Sequence, residues 1–300
     1  MKKEIKLTKK SFCGYILILL GLLLLTSPLV LRFYHDMVAQ SEKKAFEKIE
    51  ASKSEDEIKE ENKKAETYNE QIKKNDLNVE DPFTTDDYKN KYQMFRSTNT
   101  PFAYLSIPKL DKYLPLYLDA TYEHISKGVA QVAGTSIPIG GKGTRSAIAG
   151  HRGWWGDTMF LYVDELESGD YIYIERAKET MRYVVSDKEV IGPYDWSKLA
   201  PRGDLDMITL LTCSPFLPPR PNRLLVNAVR DESGPADEFK LPSGEYVASE
   251  NDSKAGDSIV KITKFFTFIG AIGGILAIIY TGQRFAKRLK AGFYKKTESL

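Results

Sequence analysis

The chain has 300 residues, of which 42% are hydrophobic, and its 43 basic and 41 acidic residues give a formal net charge of +2. That length allows one large domain or two small ones. The basic tails 1–10 and 284–300 hold 11 of the basic and 2 of the acidic residues, which leaves 32 basic and 39 acidic residues between them. The net charge of −7 outside the tails argues against nucleic acid as a partner.

The first element in chain order is an uncharged run from Phe12 to Leu31. It is about long enough to cross a bilayer, which takes roughly 20 residues, and basic flanks stay in the cytoplasm. Residues 1–34 are therefore predicted to be a cytoplasmic tail and a membrane anchor. A cleaved signal peptide is the alternative, although its apolar core is usually shorter and residues 38–40, Val-Ala-Gln, make a poor cleavage site.

A charged segment, 35–79, follows the anchor. Its residues 41–75 contain no Gly or Pro and are dominated by Glu, Lys, Ala and Asn. This composition is typical of a solvated helix with charge pairs at i,i+4 spacing. We expect one long helical stalk that packs only lightly on the folded domain. Residues 81–83, Asp-Pro-Phe, then break the pattern and open a segment that runs to residue 100.

From residue 101 the apolar periodicity changes to 2, which predicts strands. Seven candidate strands are short, β-branched or aromatic, and bounded by turn residues. They are Ala103–Ile107, Leu114–Leu118, Ser146–Ala149, Tyr171–Glu175, Arg182–Ser186, Met207–Thr212 and Leu224–Val229. Seven or eight such strands in residues 101–231 indicate a mostly β domain, closed as a barrel. Short helices are predicted at Tyr122–Lys127 and Thr158–Leu166.

Residues 232–260 lack periodicity and are interpreted as a linker to a second apolar run, Phe265–Tyr280. We predict a second membrane helix over 261–283 and a basic cytoplasmic tail over 284–300. Both chain ends then lie in the cytoplasm, and the domain between the two helices lies outside the cell. Gly270 and Gly274 form a small-xxx-small pair that could pack the two helices together, although glycines also occur by chance in apolar helices.

Cys213 is the candidate nucleophile. The chain has two cysteines, and since Cys13 lies in the first apolar run, no disulfide can form within the external domain. A free external thiol is either a buried inert residue or a reactive one. Cys213 ends a predicted strand and precedes Ser214 and Pro215, and a strand end facing a loop is a usual place for a site.

A nucleophilic thiol needs a proton acceptor, because the pKa of a free cysteine is about 8.5. Of the three histidines, His35 lies at the membrane boundary and His124 on a predicted helix, where it is expected to be a surface or capping residue. His151 follows an apolar strand and belongs to the segment 150–153, Gly-His-Arg-Gly. The two glycines of this segment let the backbone turn and expose the imidazole ring. We therefore expect His151 to be the partner of Cys213.

An acyl transfer also needs a cationic or hydrogen-bonding group for the oxyanion. Arg223 begins a strand that would pair beside the Cys213 strand, with Arg220 as a local rival and a solvated rim arginine as the alternative interpretation. Covalent catalysis by a thiol with one acid–base group requires neither a metal nor an organic cofactor. The chain also has no Cys/His cluster with zinc spacing.

Three segments together resemble the sortase family over about residues 80–230. Residues 209–213, Thr-Leu-Leu-Thr-Cys, are similar to its TLxTC signature, residues 150–153 to its histidine segment, and residues 223–226 to its arginine strand. The resemblance implies a closed eight-stranded barrel with short helices, catalytic His151, Cys213 and Arg223, and a groove that includes Thr212, Pro215 and Phe216.

Two features are similar to class C, the pilus-assembling sortases: the second membrane helix and the Asp81-Pro82-Phe83 motif. The resemblance implies that residues 80–100 form a lid in which Phe83 caps Cys213 and Asp81 pairs with an arginine of the site, Arg223. Without the family, Asp81 and Pro82 would be a helix stop and Phe83 an anchoring contact.

The resemblance implies cleavage of an LPXTG-like sorting signal of a pilin, a thioacyl-enzyme, and transfer to a lysine amine of the next pilin. One departure is the apolar, Pro-rich segment 216–222, where class C members more often have a polar stretch with Asn and His. Three alternatives remain: a cysteine hydrolase of wall peptides, a sortase that attaches proteins to the cell wall, and a non-enzymatic adhesin or sensor.

Overall fold

A computed structural model describes residues 9–74, 79, 81–83, 100–153, 157–233 and 254–297. It contains two compact units, one formed by Met1–Asp36 with Lys261–Leu300 and the other by Met37–Val260. The predicted lid beyond Phe83 and most of the predicted linker lie outside the described residues.

Two long helices contain the apolar runs. Helix α1 spans Lys9–Ser52, and the last helix of the chain, α4, spans Lys254–Thr297. Both are long and apolar enough to cross a membrane. Both helices extend beyond the predicted membrane segments, because α1 continues into the predicted stalk and α4 begins within the predicted linker and enters the basic tail. The predicted membrane boundaries themselves stay predictions. The flanking Lys, Glu and Ala residues are good helix formers and prolong each helix beyond its apolar run.

Within the first unit, α1 and α4 are in contact at the predicted small residues. A Cβ atom added to Gly274 would lie 1.7 Å from Thr26 Cγ2, and one added to Gly270 would lie 3.0 Å from Leu29 Cδ1. Aromatic rings also meet, with centroids 5.4 Å apart for Phe12 and Phe285. The glycines therefore permit a close approach that a larger side chain would prevent.

The predicted single stalk helix is wrong, because a second helix, α2, spans Glu55–Lys74 after a break at residues 53 and 54. Ser54 caps α2: its hydroxyl accepts from the Glu57 backbone N–H at 3.2 Å. The Glu57 carboxylate in turn accepts from the Ser54 backbone N–H at 2.8 Å. This reciprocal capping box satisfies two backbone donors and starts a new helix at that point.

The stalk also packs more firmly on the domain than expected. Asn69 is buried, donates from Nδ2 to the Ile137 carbonyl at 3.0 Å, and accepts from the Ile137 backbone N–H at 2.7 Å. Ala65 and Tyr68 pack with Leu118 and Ile137 in a small apolar cluster. Polar residues that the charge pattern assigned to solvent are thus part of the interface between α2 and the barrel.

Eight strands form a closed barrel in the order β1-β2-β3-β4-β7-β8-β6-β5. Their bounds are β1 Ala103–Ile107, β2 Lys112–Leu118, β3 Val129–Gln131, β4 Thr144–Ala149, β5 Tyr171–Arg176, β6 Glu179–Ile191, β7 Asp206–Ser214 and β8 Asn222–Arg230. All seven predicted strands are present, most of them longer than predicted. The strand that the sequence analysis missed, β3, has three residues, too few to show a period of 2.

Of the two predicted short helices in the barrel, one is confirmed and one is wrong. Helix α3 spans Tyr122–Lys127, as predicted. At Thr158–Leu166 there is only a 3₁₀ turn, Val163–Glu165. Met159 has a φ of 38°, and the Phe160 backbone N–H donates to the His151 carbonyl at 3.1 Å instead of to a helical partner. This bond ties the segment to the turn after β4.

Candidate active site

The barrel register brings His151 and Cys213 to the same edge. Strands β4 and β7 are parallel, with Ala149 opposite Leu211. Beyond the last pair, the Gly150 backbone N–H donates to the Leu211 carbonyl at 3.1 Å, and the Thr212 hydroxyl donates to the Gly150 carbonyl at 2.8 Å. His151 lies two residues after Ala149, and Cys213 lies two residues after Leu211. The two residues are therefore neighbours at the ends of adjacent strands.

Arg223 reaches the same edge from β8. Strands β7 and β8 are antiparallel, and Cys213 lies directly opposite Arg223. Opposed residues of an antiparallel pair project their side chains to the same face. The three residues proposed from the sequence as catalytic therefore come together at one end of the barrel, at the ends of β4, β7 and β8.

Gly150 is required by packing. A Cβ atom at Gly150 would lie 2.7 Å from Phe160 Cδ2 and 2.9 Å from Val129 Cγ1. The flanking glycines were expected to expose the histidine ring, but His151 is half-buried. Glycine at 150 lets the end of β4 approach Phe160 closely. This close approach fixes the position of the His151 backbone.

Arg223 forms an ion pair with Asp81. Its Nη2 lies 2.5 Å from Asp81 Oδ2 and its Nε 3.4 Å from Asp81 Oδ1. The guanidinium is buried, and its Nη1 donates to the carbonyls of Pro221 and Asn222 at 3.2 and 3.0 Å. The pairing of Asp81 with Arg223 that the resemblance implied is therefore present.

Pro82 and Phe83 continue the segment over the site. The Phe83 backbone N–H donates to Asp81 Oδ1 at 3.0 Å, which closes a tight turn around Pro82. The Phe83 ring centroid lies 5.9 Å from the His151 ring and 5.3 Å from Arg223 Cζ. Phe83 thus lies against two of the three candidate residues, and its capping of the Cys213 sulfur remains a prediction.

Burial decides the protonation states in this arrangement. It lowers the pKa of His151 to about 4, so the imidazole is neutral at neutral pH. Burial also raises the pKa of the Cys213 thiol, and the Asp81 carboxylate adds to this rise, while Arg223, Arg220 and Arg152 act in the opposite direction. The resting pair is a neutral thiol beside a neutral imidazole.

Two of the three predicted groove residues are exposed. Pro215 is exposed, and Phe216 is 42% exposed. Thr212 is fully buried and its hydroxyl donates to the Gly150 carbonyl, so its side chain is not exposed at the groove, and its role there stays a prediction. It supports the site by joining the ends of β4 and β7.

His124 was expected to be a surface or capping residue, and the surface alternative is wrong. Its side chain is 3% exposed, and its Nδ1 lies 2.7 Å from the Asp119 carbonyl oxygen. Its ring stacks on Tyr117 with centroids 4.9 Å apart. His124 therefore has a structural role, whereas His151 lies at the candidate site.

Two further residues beside the site, Arg152 and Tyr122, were not predicted from the sequence to have a role there. Arg152 belongs to the quoted Gly-His-Arg-Gly segment, and its Nη1 donates to the Cys213 carbonyl at 3.2 Å. Tyr122, at the start of α3, has its ring centroid 6.5 Å from that of His151. The place of Arg152 next to His151 was a usable signal, but nothing in the sequence pattern singles out Tyr122.

Among the described residues there is no group of three or more His, Cys, Asp or Glu side chains that could hold a metal ion. The chemistry that these residues can supply is that of a thiol nucleophile, an imidazole acid or base, and a guanidinium for a developing negative charge.

Comparison with known proteins gives concordant matches. A family model described as the sortase domain matches residues 105–231. Sortase D of Bacillus subtilis is 26% identical over 133 residues, which cover 44% of this chain. The match spans 64% of that relative's own length.

Solved structures match over a longer part of the chain. Sortase C-3 of Streptococcus pneumoniae is 34% identical, with a TM-score of 0.60, over 64% of this chain and 90% of that one. A pilus-related sortase C of Group B Streptococcus is 32% identical, with a TM-score of 0.55, over 63% of this chain and 96% of that one. Both are described as sortases of type C.

Proposed function

This chain belongs to the sortase family of cysteine transpeptidases, and from that premise we propose that it is a class C enzyme that joins pilins through lysine side chains. One observation carries the proposal: Arg223 lies opposite Cys213 and is ion-paired with Asp81 of the Asp81-Pro82-Phe83 segment. The same guanidinium thus connects the nucleophile strand with the motif that class C sortases use as a lid.

In the proposed reaction the Cys213 thiol gives its proton to His151, and the resulting thiolate attacks the threonine carbonyl carbon of an LPXTG-like sorting signal. The threonine–glycine bond breaks, and His151 gives a proton to the departing glycine amine. Arg223 stabilises the negative charge that develops on the carbonyl oxygen. The product of this half-reaction is a thioester between Cys213 and the threonine.

In the second half-reaction a pilin lysine amine attacks the thioester carbonyl. His151 accepts the proton that the amine loses, an isopeptide bond forms, and the Cys213 thiolate leaves. Cys213 becomes nucleophilic only when its thiol loses its proton. Withdrawal of Asp81 and Phe83 from the site favours that loss. Asp81 then no longer opposes the thiolate, and Arg223 is free to bind substrate.

The location follows from the same proposal. Both apolar helices have the length and composition of membrane spans. We propose that both anchor the chain in the cell membrane, with the tails in the cytoplasm and the barrel outside, where pilins are available.

The test is pilin polymerisation by the full chain and by two matched cysteine variants. Cys213→Ala is expected to give no polymer, whereas Cys13→Ala, which removes the thiol of the other unit, is expected to polymerise like the unaltered chain. Normal polymer from Cys213→Ala would exclude Cys213 as the nucleophile.

The acceptor is tested in the same assay with a labelled sorting peptide and two competing amines, a pilin lysine and a wall-peptide amine. The proposal predicts an isopeptide bond to the lysine. Preferential transfer to the wall-peptide amine would indicate a wall-attaching sortase, and release of free acid in the presence of both amines would indicate a hydrolase. Either result would overturn the pilus assignment.

A further inference from the structure

Arg152 connects the turn that carries His151 to the strand end that carries Cys213. Its side chain is buried, at 4% exposure, and it donates from Nη1 to the Cys213 carbonyl at 3.2 Å. From Nη2 it donates to the Asp164 carboxylate at 2.6 Å. A buried guanidinium needs such partners, because an unpaired buried charge is costly.

Arg220 closes the same arrangement from the loop after β7. Its Nη1 donates to the Arg152 carbonyl at 2.9 Å, and its Nε and Nη2 donate to the Phe216 carbonyl at 3.0 and 2.7 Å. The Phe216 ring centroid in turn lies 5.4 Å from Arg152 Cζ. These contacts form a network that connects the turn after β4, the Cys213 carbonyl and the exposed Phe216.

This network extends the contact between β4 and β7 beyond the last paired residues of the two strands. The Gly150–Leu211 and Thr212–Gly150 hydrogen bonds hold the backbone as far as Gly150. The Arg152 side chain supplies the next link, at the level of the two reacting side chains. Arg152 carries a planar fork that can donate to two acceptors at fixed angles, which a lysine ammonium cannot reproduce.

We propose that Arg152 is a positioning residue for the transpeptidation: held by Asp164 and Arg220, it fixes Cys213 relative to His151 and keeps Phe216 at the groove wall. This inference rests on the proposed function. It adds to the His151, Cys213 and Arg223 set a fourth residue that acts through the backbone of the nucleophile.

The positive charge of Arg152 has a second effect, which gives the test a readout that a purely structural role would not move. Its charge favours the Cys213 thiolate, as do those of Arg220 and Arg223. Removing the charge is therefore expected to raise the pKa of the thiol, and replacing Arg with Lys is expected to preserve the charge but not the fork.

The experiment uses the full chain with Cys13→Ser, so that iodoacetamide reports on Cys213 alone. Arg152→Gln is expected to move the pH inflection of alkylation upward and to lower kcat for sorting-peptide cleavage on the order of 10- to 100-fold, with a smaller change in KM. Arg152→Lys is expected to restore the inflection but not kcat. Arg182→Gln is the control, because Arg182 is paired with Asp231 and its charge is not among those that act on Cys213.

Arg220→Gln provides a second variant in case Arg152→Gln does not fold, since it removes the closing contacts and leaves Arg152 in place. It is expected to shift the inflection in the same direction, because the charge of Arg220 also favours the Cys213 thiolate. An unchanged inflection and an unchanged kcat in the folded Arg152 or Arg220 variants would overturn the inference. If the unaltered chain cleaves no sorting peptide, the proposed function fails, while the alkylation profile still tests the effect of Arg152 on the thiol.

Discussion

Among single residues, Arg223 has a proposed catalytic use that competes with its ion pair. Its guanidinium is engaged by the Asp81 carboxylate and by loop carbonyls, so a substrate oxyanion would compete with these acceptors for its N–H groups. The burial that accompanies this pairing also holds His151 and Cys213 in their neutral forms. One segment, Asp81 to Phe83, therefore affects all three candidate residues, by charge and by desolvation.

Removing the Phe83 ring is expected to restore an ordinary pKa to His151. Burial lowers that pKa to about 4, so Phe83→Ala, which lets water reach the imidazole, is expected to raise it towards 6.5. His151 binds a proton less readily in the folded chain than in the unfolded chain. The contribution of His151 to stability is therefore present above about pH 6.5 and is lost as the pH falls towards 4. The variant is expected to lose less stability on acidification.

The measurement is an NMR titration of the histidine-labelled chain, in which three histidines give few signals. Tyr194→Ala, which removes an aromatic ring that is 86% exposed, is the control and is expected to leave the His151 titration unchanged. A His151 pKa that stays near 4 in Phe83→Ala would show that the Phe83 ring does not cause the shift.

The sequence allowed the three candidate catalytic residues to be proposed, since each has a chemical type and a strand-end position that can be read locally. The ion pair could be expected only from the family resemblance, because Asp81 and Arg223 are 142 residues apart in the chain. The place of Arg152 next to His151 pointed to that residue, but the contacts of Thr212 and Arg152 could not be predicted, because they depend on which backbone carbonyl lies within reach once the barrel closes.

At the scale of elements, the β pattern was easier to predict than the helical pattern. A period of 2 identified the seven longer strands, because the alternation between the two faces of a sheet is a local property. The division between α1 and α2 was missed, although Ser54 and Glu57 have the spacing of a capping box. The polar face of α2 was misinterpreted as solvated, because hydrogen bonds to the barrel are not visible in a charge pattern.

The contact between α2 and the barrel is expected to depend on Asn69. Asn69→Ala would leave the backbone N–H and carbonyl of Ile137 buried without these two partners, and we expect the free energy of unfolding to fall by about 2 kcal/mol. Urea denaturation measures the change. Thr67→Ala, on the exposed face of the same helix, is the control. Equal stabilities of the two variants would mean that the Asn69 hydrogen bonds contribute little to the docking of α2.

At the scale of the whole molecule, the chain combines an apolar helix pair with a barrel unit whose site residues come from three strands and a preceding segment. The sequence was sufficient to propose both parts, because an uncharged run and a β-rich region differ strongly in composition. It did not show how far each helix extends, since helix formation continues through charged residues that composition assigns to a tail or a stalk.

The packing of α1 against α4 is expected to depend on Gly274 and not on its neighbour. Gly274→Leu would place a side chain where Thr26 already lies, whereas a Cβ at Gly273 meets nothing within 4 Å. Disulfide cross-linking between Phe12→Cys and Phe285→Cys, in a chain with Cys13→Ser and Cys213→Ser, reports the contact. We expect Gly274→Leu to reduce cross-linking and Gly273→Leu to leave it intact. Equal cross-linking in both would show that the glycine face is not needed.

Cys213 is proposed to form a covalent bond to a sorting signal, and the direct test is intact-mass measurement of the full chain incubated with an LPXTG-type peptide. We expect an added mass equal to the peptide up to its threonine, located on Cys213. We also expect that a lysine amine removes the adduct, that Phe83→Ala accumulates it faster, and that Cys213→Ala never forms it. An adduct of that mass on Cys213→Ala, or none on either the unaltered chain or Phe83→Ala with any sorting peptide, would exclude Cys213 as the nucleophile.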